Sequence, residues 1–361
     1  MKTGSKVFEA RAHGRVNLIG EHTDYNGGWV LPTAIPQCTR VRLSPRSDKK
    51  VLAKSSRETA QFEIGQEKMM NSWIDYLQGA TDQLIKKGHR VSGFDVEIES
   101  SVPMGSGLSS SAALEVSFLK AARDAFDLNL DDLEIARMGQ RIENDFVGAR
   151  VGIMDQMACS LAKEGEALFL DTVDLNYERI RLPLETAELL VINSGVAHRL
   201  AAGDGGYNQR RAECEEACRQ LGVAQLRDLS MHEISRLEEL PELLRKRARH
   251  VVTENERVHE AVKALRENDL EKLGRLFYAS HDSMRNDYEV SIPEIDFLVK
   301  ACALRAGVWG ARLTGGGFGG SIVALVARGQ AGEVARGVVR EYFKQFGLKA
   351  SVLVPQGEGD Q

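Results

Sequence analysis

Much is missing from this chain that would point to other classes of protein. Its 361 residues hold five cysteines, an odd number at irregular spacing, so neither a disulfide framework nor a paired zinc ribbon is expected. Cys214 and Cys218 share a helix face with no matching pair nearby, and all five read as thiols of a reducing cytoplasm. Residues 1–15 are polar and lack the apolar segment of a secretory leader, and no apolar run approaches the ~20 residues that a membrane helix needs. A cytoplasmic protein without membrane contact is expected. With 47 Lys and Arg against 52 Asp and Glu the formal net charge is -5, so a polyanion-binding surface, and with it nucleic acid, is not expected. The basic run from Leu243 to His250 is read as a solvated helix face. No Gly-Lys-Ser/Thr follows a glycine-rich stretch, so the P-loop of the common nucleotide-binding fold is absent.

The stretch around which the chain is organised is Pro-Met-Gly-Ser-Gly-Leu-Ser-Ser-Ser-Ala-Ala-Leu-Glu, Pro103 to Glu115. Gly105 and Gly107 permit positive φ and close approach of a ligand. Ser109, Ser110 and Ser111 stand where a helix N-cap belongs, and Ala112, Ala113, Leu114 and Glu115 favour helix behind them. The unpaired N–H groups and the dipole of such a helix start favour a phosphate or carboxylate, although a plain capped helix explains the stretch equally well. The alternating segment Val91 to Ser100 supplies a strand before it, and helices are expected over 111–126 and 131–146, the second carrying Glu143.

Two further stretches concentrate polar groups. After the alternating Arg15 to Gly20, Glu21-His22-Thr23-Asp24-Tyr25-Asn26-Gly27-Gly28 packs two carboxylates and an imidazole into one turn. Asn26-Gly27 alone would make a hairpin tip, so Glu21, His22 and Asp24 are surplus to the turn and suit polyol recognition, in which a carboxylate accepts from neighbouring hydroxyls. In Arg150 to Met157, Asp155 is flanked on both sides by apolar residues, and a helix N-cap is the competing explanation for it. Near the carboxy terminus, Gly315 to Gly320 holds five glycines in six residues, more than a turn requires. Between these lie strands at 166–170 and 189–193, a glycine-rich loop at 201–207, a helix capped by Asn208, and a long charged helical region to Tyr288 in which nothing looks catalytic. Trp73, with Leu77 and Ala80, is expected in the core.

Together these motifs resemble the galactokinase branch of the GHMP small-molecule kinase family: Gly14 to Asn26 the sugar signature, Pro103 to Ala113 the phosphate loop, and Gly315 to Gly320 the third motif. Gly152 to Gln156, Tyr207 to Arg211, Ser280 to Ser283 and Asp287 to Val290 extend the similarity to nearly the whole chain. The resemblance implies an α+β fold of two domains with the active site in the cleft between them, here divided as 1–188 and 189–361, the second ferredoxin-like. It implies an ATP-dependent kinase making α-D-galactose 1-phosphate, with galactose and ATP as partners, Mg²⁺ as cofactor, and a monomer or weak dimer. Asp155 and Arg15 would be catalytic. Glu21, His22, Asp24, Gly152 and Tyr207 would bind galactose. Gly105, Ser106, Gly107, Leu108, Ser109, Ser110 and Ser111 would cradle the ATP phosphates, and Ser111 with Glu143 would hold the metal.

Three positions depart from the family pattern, Ala12-His13 before Gly14, Val151 before Gly152 and Ser321 after Gly320, and none removes a group with a chemical role. A silent galactose sensor is the rival from another class. The pair Ser111-Ala112, absent from such sensors, favours the enzyme. N-acetylgalactosamine, a uronic acid and a pentose stay open as alternative substrates.

Overall fold

The computed structural model describes residues 6–56, 58–197 and 206–354. Two compact units make up the chain, each assembled from separate stretches. The expected division after residue 188 falls inside the second unit, within the strand Ala187–Asn193.

The first unit comprises the chain up to Arg15, Ile35–Pro103 and Ser109–Leu161. Its sheet is built on the strand Phe94–Ser100, which runs antiparallel to Pro32–Pro45 from Thr39↔Ser100 to Pro45↔Phe94, and parallel to Lys50–Ser55. Thr59–Glu63 closes one edge antiparallel to Lys50–Ser55. Alternation along Phe94–Ser100 buries Phe94, Val96 and Ile98 and leaves Asp95 and Glu97 less covered, the pattern of a strand with one face on a core. Phe94 meets Phe118 of the helix Ser110–Phe126 with ring centroids 5.4 Å apart, and Leu119, Ile135 and Met157 of the same unit are buried as well. Asp131 and Glu134 form a reciprocal capping box at the head of Asp132–Arg141, where Glu134 N donates to Asp131 Oδ1 at 2.7 Å. The expected helix to 146 changes character after Arg141: Ile142–Val147 is one π turn, ended by Gly148 at φ 86°. Trp73 is only half-buried, donating from Nε1 to Glu58 at 2.9 Å, because its ring nitrogen needs an acceptor that the core lacks.

The second unit comprises Val16–Ala34, Met104–Leu108 and the chain from Ala162 on. Its four-stranded antiparallel sheet is ordered Val308–Thr314, Ser321–Ala327, Ala187–Asn193, Ser351–Val354. Numbered along the chain this is 2-3-1-4, the order of a ferredoxin-like sheet. Leu190, Ile192, Leu313, Ile322 and Ala324 of the sheet share a core with Leu298 and Tyr342 of the helices Pro293–Ala303 and Ala331–Phe346. The run from Leu243 to His250 is not a solvated face throughout. Arg247 and His250 of the helix Glu242–Glu267 are buried, and Arg247 donates to Glu213 and Glu289 at 2.7 Å each, ion pairs that offset the cost of taking its charge out of water. All five cysteines are free thiols. Among the described residues no helix is long and apolar enough to cross a membrane.

Candidate active site

In the first unit, Arg15 near the end of the strand Phe8–Asn17 meets Asp155 in the first turn of the helix Met154–Leu161. Nε and Nη2 of Arg15 both donate to Asp155 Oδ1, at 2.8 and 2.6 Å. Oδ2 has no protein partner among the described residues, and the Asp155 side chain is 32% exposed against 4% for Arg15. Asp155 therefore lies inside its helix with its carboxylate tied across to another element, which is not the geometry of an N-cap. Gly152 is buried just before that helix.

The helix Ser110–Phe126 starts in an unusual way. Ser109 at its N-cap position adopts φ 61°, ψ 46° and makes no capping bond, so the expected serine cap is not formed. In the left-handed conformation the hydroxyl turns away from the first N–H groups of the helix. Those donors stay uncapped by it, and Ser109 Oγ is buried without a partner. The arrangement fits an anion at the helix start. One residue into the helix, Ser111 Oγ donates to Glu143 Oε1 at 2.8 Å, with Glu143 carried by the π turn. Burial pushes the Glu143 carboxyl up to about 7, and the Ser111 hydroxyl pulls the other way. Beside it the fully buried Glu115 is pushed up as well, by burial and by the Glu143 charge, and its Oε1 has no partner. Gln156 Nε2 bridges the two, donating to Glu115 at 3.3 Å and Glu143 at 3.4 Å. Buried carboxylates lacking a counter-charge suit a hard cation. Among the described residues no three His, Cys, Asp or Glu side chains converge as a closed metal cage.

In the second unit the glycine loops meet backbone to backbone. A Cβ on Gly315, at φ +88°, would stand 2.7 Å from Gly107 O, and one on Gly320 would stand 3.0 Å from Ser106 O. Ser321 Oγ donates to Ser106 O at 2.7 Å. The surplus glycines after Thr314 thus hold the Gly105–Leu108 segment by close approach. The signature turn is anchored to the same loop. Glu21 Oε1 accepts from Gly315 N at 2.7 Å, its Oε2 accepts from Asn17 Nδ2, and Arg312 Nη1 lies 3.5 Å from Oε1. Protein donors thus engage both oxygens of a residue expected to read sugar hydroxyls. Asp24 is half-buried at the head of the short turn Asp24–Asn26.

His22, at φ 61°, is 4% exposed, and burial, then the charges of His250 and Arg210, hold its ring well below the usual imidazole range. Its Nδ1 meets Tyr25 OH at 2.8 Å. Tyr207, in the first turn of the helix Gly206–Leu221, lies with its ring centroid 5.5 Å from that of His22. Residues 201–205 of the loop before it lie outside the described residues.

Groups that sequence reasoning left without a role line this turn. His250 reaches the Glu21 carbonyl from Nε2 at 3.1 Å, and Glu254 accepts from Gly20 N at 2.9 Å and Ser280 Oγ at 2.6 Å. Both belong to the charged helical region that looked inert. The only signal there was polar residues on the apolar side of the helix, one turn apart.

An uncapped helix start with a buried hydroxyl, a glycine loop braced on a second glycine loop, and a carboxylate paired to arginine define the class, a small-molecule phosphotransferase. Family models agree: residues 75–163 match the GHMP kinases N terminal domain, 261–345 the GHMP kinases C terminal domain, and 2–45 the galactokinase galactose-binding signature. Galactokinase of Thermotoga petrophila is 42% identical over 94% of this chain and 95% of its own, and that of Roseiflexus sp. 44% over 95% and 90%. The crystal structure of Lactococcus lactis galactokinase complexed with galactose superposes with a TM-score of 0.92 at 37% identity, covering 96% of this chain and 92% of that one. L. major mevalonate kinase shares the fold at 19% identity and a TM-score of 0.66. The chain belongs to the galactokinase family of GHMP kinases.

Proposed function

We propose that Asp155 and Arg15 carry the chemistry of a galactose 1-kinase. The chain is an ATP-dependent sugar kinase that transfers the γ-phosphoryl of ATP to the anomeric hydroxyl of α-D-galactose, giving α-D-galactose 1-phosphate and ADP. The observation that carries the residue assignment is the Oδ2 of Asp155, unpaired among the described residues. With the Nε and Nη2 bonds of Arg15 on Oδ1, Oδ2 is left to accept the proton of the anomeric hydroxyl, and Arg15 fixes the carboxylate's orientation. Phosphoryl transfer asks a protein mainly for positioning and charge stabilisation, and a single well-held carboxylate suits that demand.

In this reading His22, Asp24, Gly152 and Tyr207 contact galactose, with Glu21 holding the signature turn to Gly315 as well as facing the sugar. The segment from Gly105 to Ser111 (Gly105, Ser106, Gly107, Leu108, Ser109, Ser110, Ser111) receives the ATP phosphates, supported by the partnerless Ser109 hydroxyl. Ser111 and Glu143 hold Mg²⁺, which usually takes one or two protein oxygens and leaves its other positions to phosphate and water. When bound it would neutralise charge on the phosphates. The family's two domains are taken as 1–188 and 189–361, supported by the ferredoxin-like sheet's beginning at the strand Ala187–Asn193. ATP consumption with D-galactose and with D-glucose tests the substrate. The sugars differ at C4 alone, and a site that pairs that hydroxyl rejects the wrong epimer strongly. Equal rates would sink the galactose assignment.

A further inference from the structure

His22 does not stand alone behind its ring. Tyr25 OH, 2.8 Å from His22 Nδ1, is also 2.8 Å from Tyr288 OH, and Tyr288 OH is 3.1 Å from Cys214 Sγ. Three elements of the second unit supply the four groups: the signature turn, the helix Gly206–Leu221, and the π turn Met284–Tyr288. Tyr288 is fully buried, with its ring centroid 4.4 Å from that of His250 and 4.7 Å from that of His22. At the other end of the row, His22 Nε2 is buried and has no hydrogen-bonding partner among the described residues. The Gly316 carbonyl favours a charged ring without closing a hydrogen bond to that nitrogen. A buried polar atom without a partner is costly unless a ligand supplies one.

We propose that Tyr25 and Tyr288, backed by Cys214, form a hydrogen-bonded relay that holds His22 in one rotamer and one tautomer, making both tyrosines positioning residues for sugar recognition. The proposal rests on the reading of His22 as a galactose contact. An uncharged imidazole has one donor nitrogen and one acceptor nitrogen, and the bond at Nδ1 decides which of the two roles Nε2 takes. Each phenol has one proton to give, so Tyr25 cannot donate to His22 and to Tyr288 at once. The row is therefore ordered in one direction, and that direction fixes whether Nε2 presents a donor or an acceptor to the incoming hydroxyl. Deleting the Tyr25 hydroxyl leaves Nδ1 without a partner in a dry site and releases the ring to both tautomers.

The test uses the whole protein and three substitutions that remove one group of the row each. Relay order and burial order run in opposite directions: Tyr25 touches His22 and is half-buried, whereas Tyr288 and Cys214 lie farther along and are 0% and 1% exposed. Galactose affinity by calorimetry without nucleotide should fall about three- to tenfold in Tyr25→Phe, as expected for one lost hydrogen bond, less in Tyr288→Phe, and under about twofold in Cys214→Ala. KM for galactose should follow Kd, with kcat and KM for ATP nearly unchanged. With ¹⁵N-labelled histidine, the His22 resonances should move from a single tautomer toward averaged positions in Tyr25→Phe. His22→Ala is the control for the reading beneath. Unchanged galactose Kd in Tyr25→Phe while His22→Ala weakens binding overturns the relay alone, as do losses of affinity that rank with losses of thermal stability. Unchanged Kd in both removes His22 from the sugar site and overturns the reading with the relay. If Tyr25→Phe does not fold, the Tyr288→Phe affinity and its histidine spectrum decide by the same criteria.

Discussion

Asp155→Asn separates proton transfer from binding, and the geometry sets its expected size. Arg15 directs two N–H donors at one oxygen, so the asparagine must keep its carbonyl there, and its amide nitrogen takes the place of Oδ2. The group facing the sugar hydroxyl then changes from acceptor to donor. General base catalysis contributes about a hundred- to ten-thousand-fold, and kcat should fall within that range. The guanidinium, buried to 4% exposure, loses the charge of this partner. Breaking a fully buried ion pair costs roughly 3–5 kcal/mol, but Asp155 is about one-third open to solvent, which screens the pair and brings the expected loss of stability to about 1–2 kcal/mol. Coupled ADP release gives kcat, calorimetry the galactose affinity, and thermal melting the stability. Near-full kcat would refute the assignment, since the proton must then leave by another route. Loss of galactose binding together with a much larger loss of stability would make Asp155 a structural partner of Arg15 and not a base.

Three other outcomes are expected. Glu143→Gln removes a charged oxygen while keeping its shape, so the rate should need much more Mg²⁺ while galactose binding without nucleotide stays unchanged; an unaltered Mg²⁺ dependence would place the metal elsewhere. Burial lowers His250 to about 4, below the ~6.5 of an unfolded chain, so the unfolded state takes up the proton first as pH falls. Its contribution to stability is therefore full above about pH 6.5 and is lost toward pH 4, about 2 kcal/mol of it by pH 5, with His22 adding in the same direction; urea unfolding at pH 7.5 and 5 measures it, and equal stabilities would refute the shift. Gly315→Ala puts a methyl 2.7 Å from Gly107 O at φ +88°, so melting should fall by the equivalent of about 1–3 kcal/mol and KM for ATP should rise; a silent substitution would show that the two loops do not brace each other.

Much of the candidate site is legible in the chain because its parts are local. The glycine pair stands directly before the helix Ser110–Phe126, and the polar surplus of Glu21 to Asp24 sits within one turn. Asp155 is conspicuous as the one charge in the run from Val151 to Ala158. Helices, strands and turns form from residues a few positions apart, so their spacing can be read without a partner. What a buried polar group bonds to is a different matter. Ser109 looked like an N-cap from its neighbours, and only the backbone at φ 61° leaves its hydroxyl unpaired. Glu21 looked available to a ligand until Gly315, 294 residues away, donated to it. Tyr25 and Tyr288 are 263 residues apart, and nothing near either announces the other. His250 and Glu254 passed for members of a charged helix face until packing turned them inward. Local propensity and hydrophobic period decide which elements form, whereas burial makes every polar atom require a particular partner, and tertiary packing alone determines which atom that is.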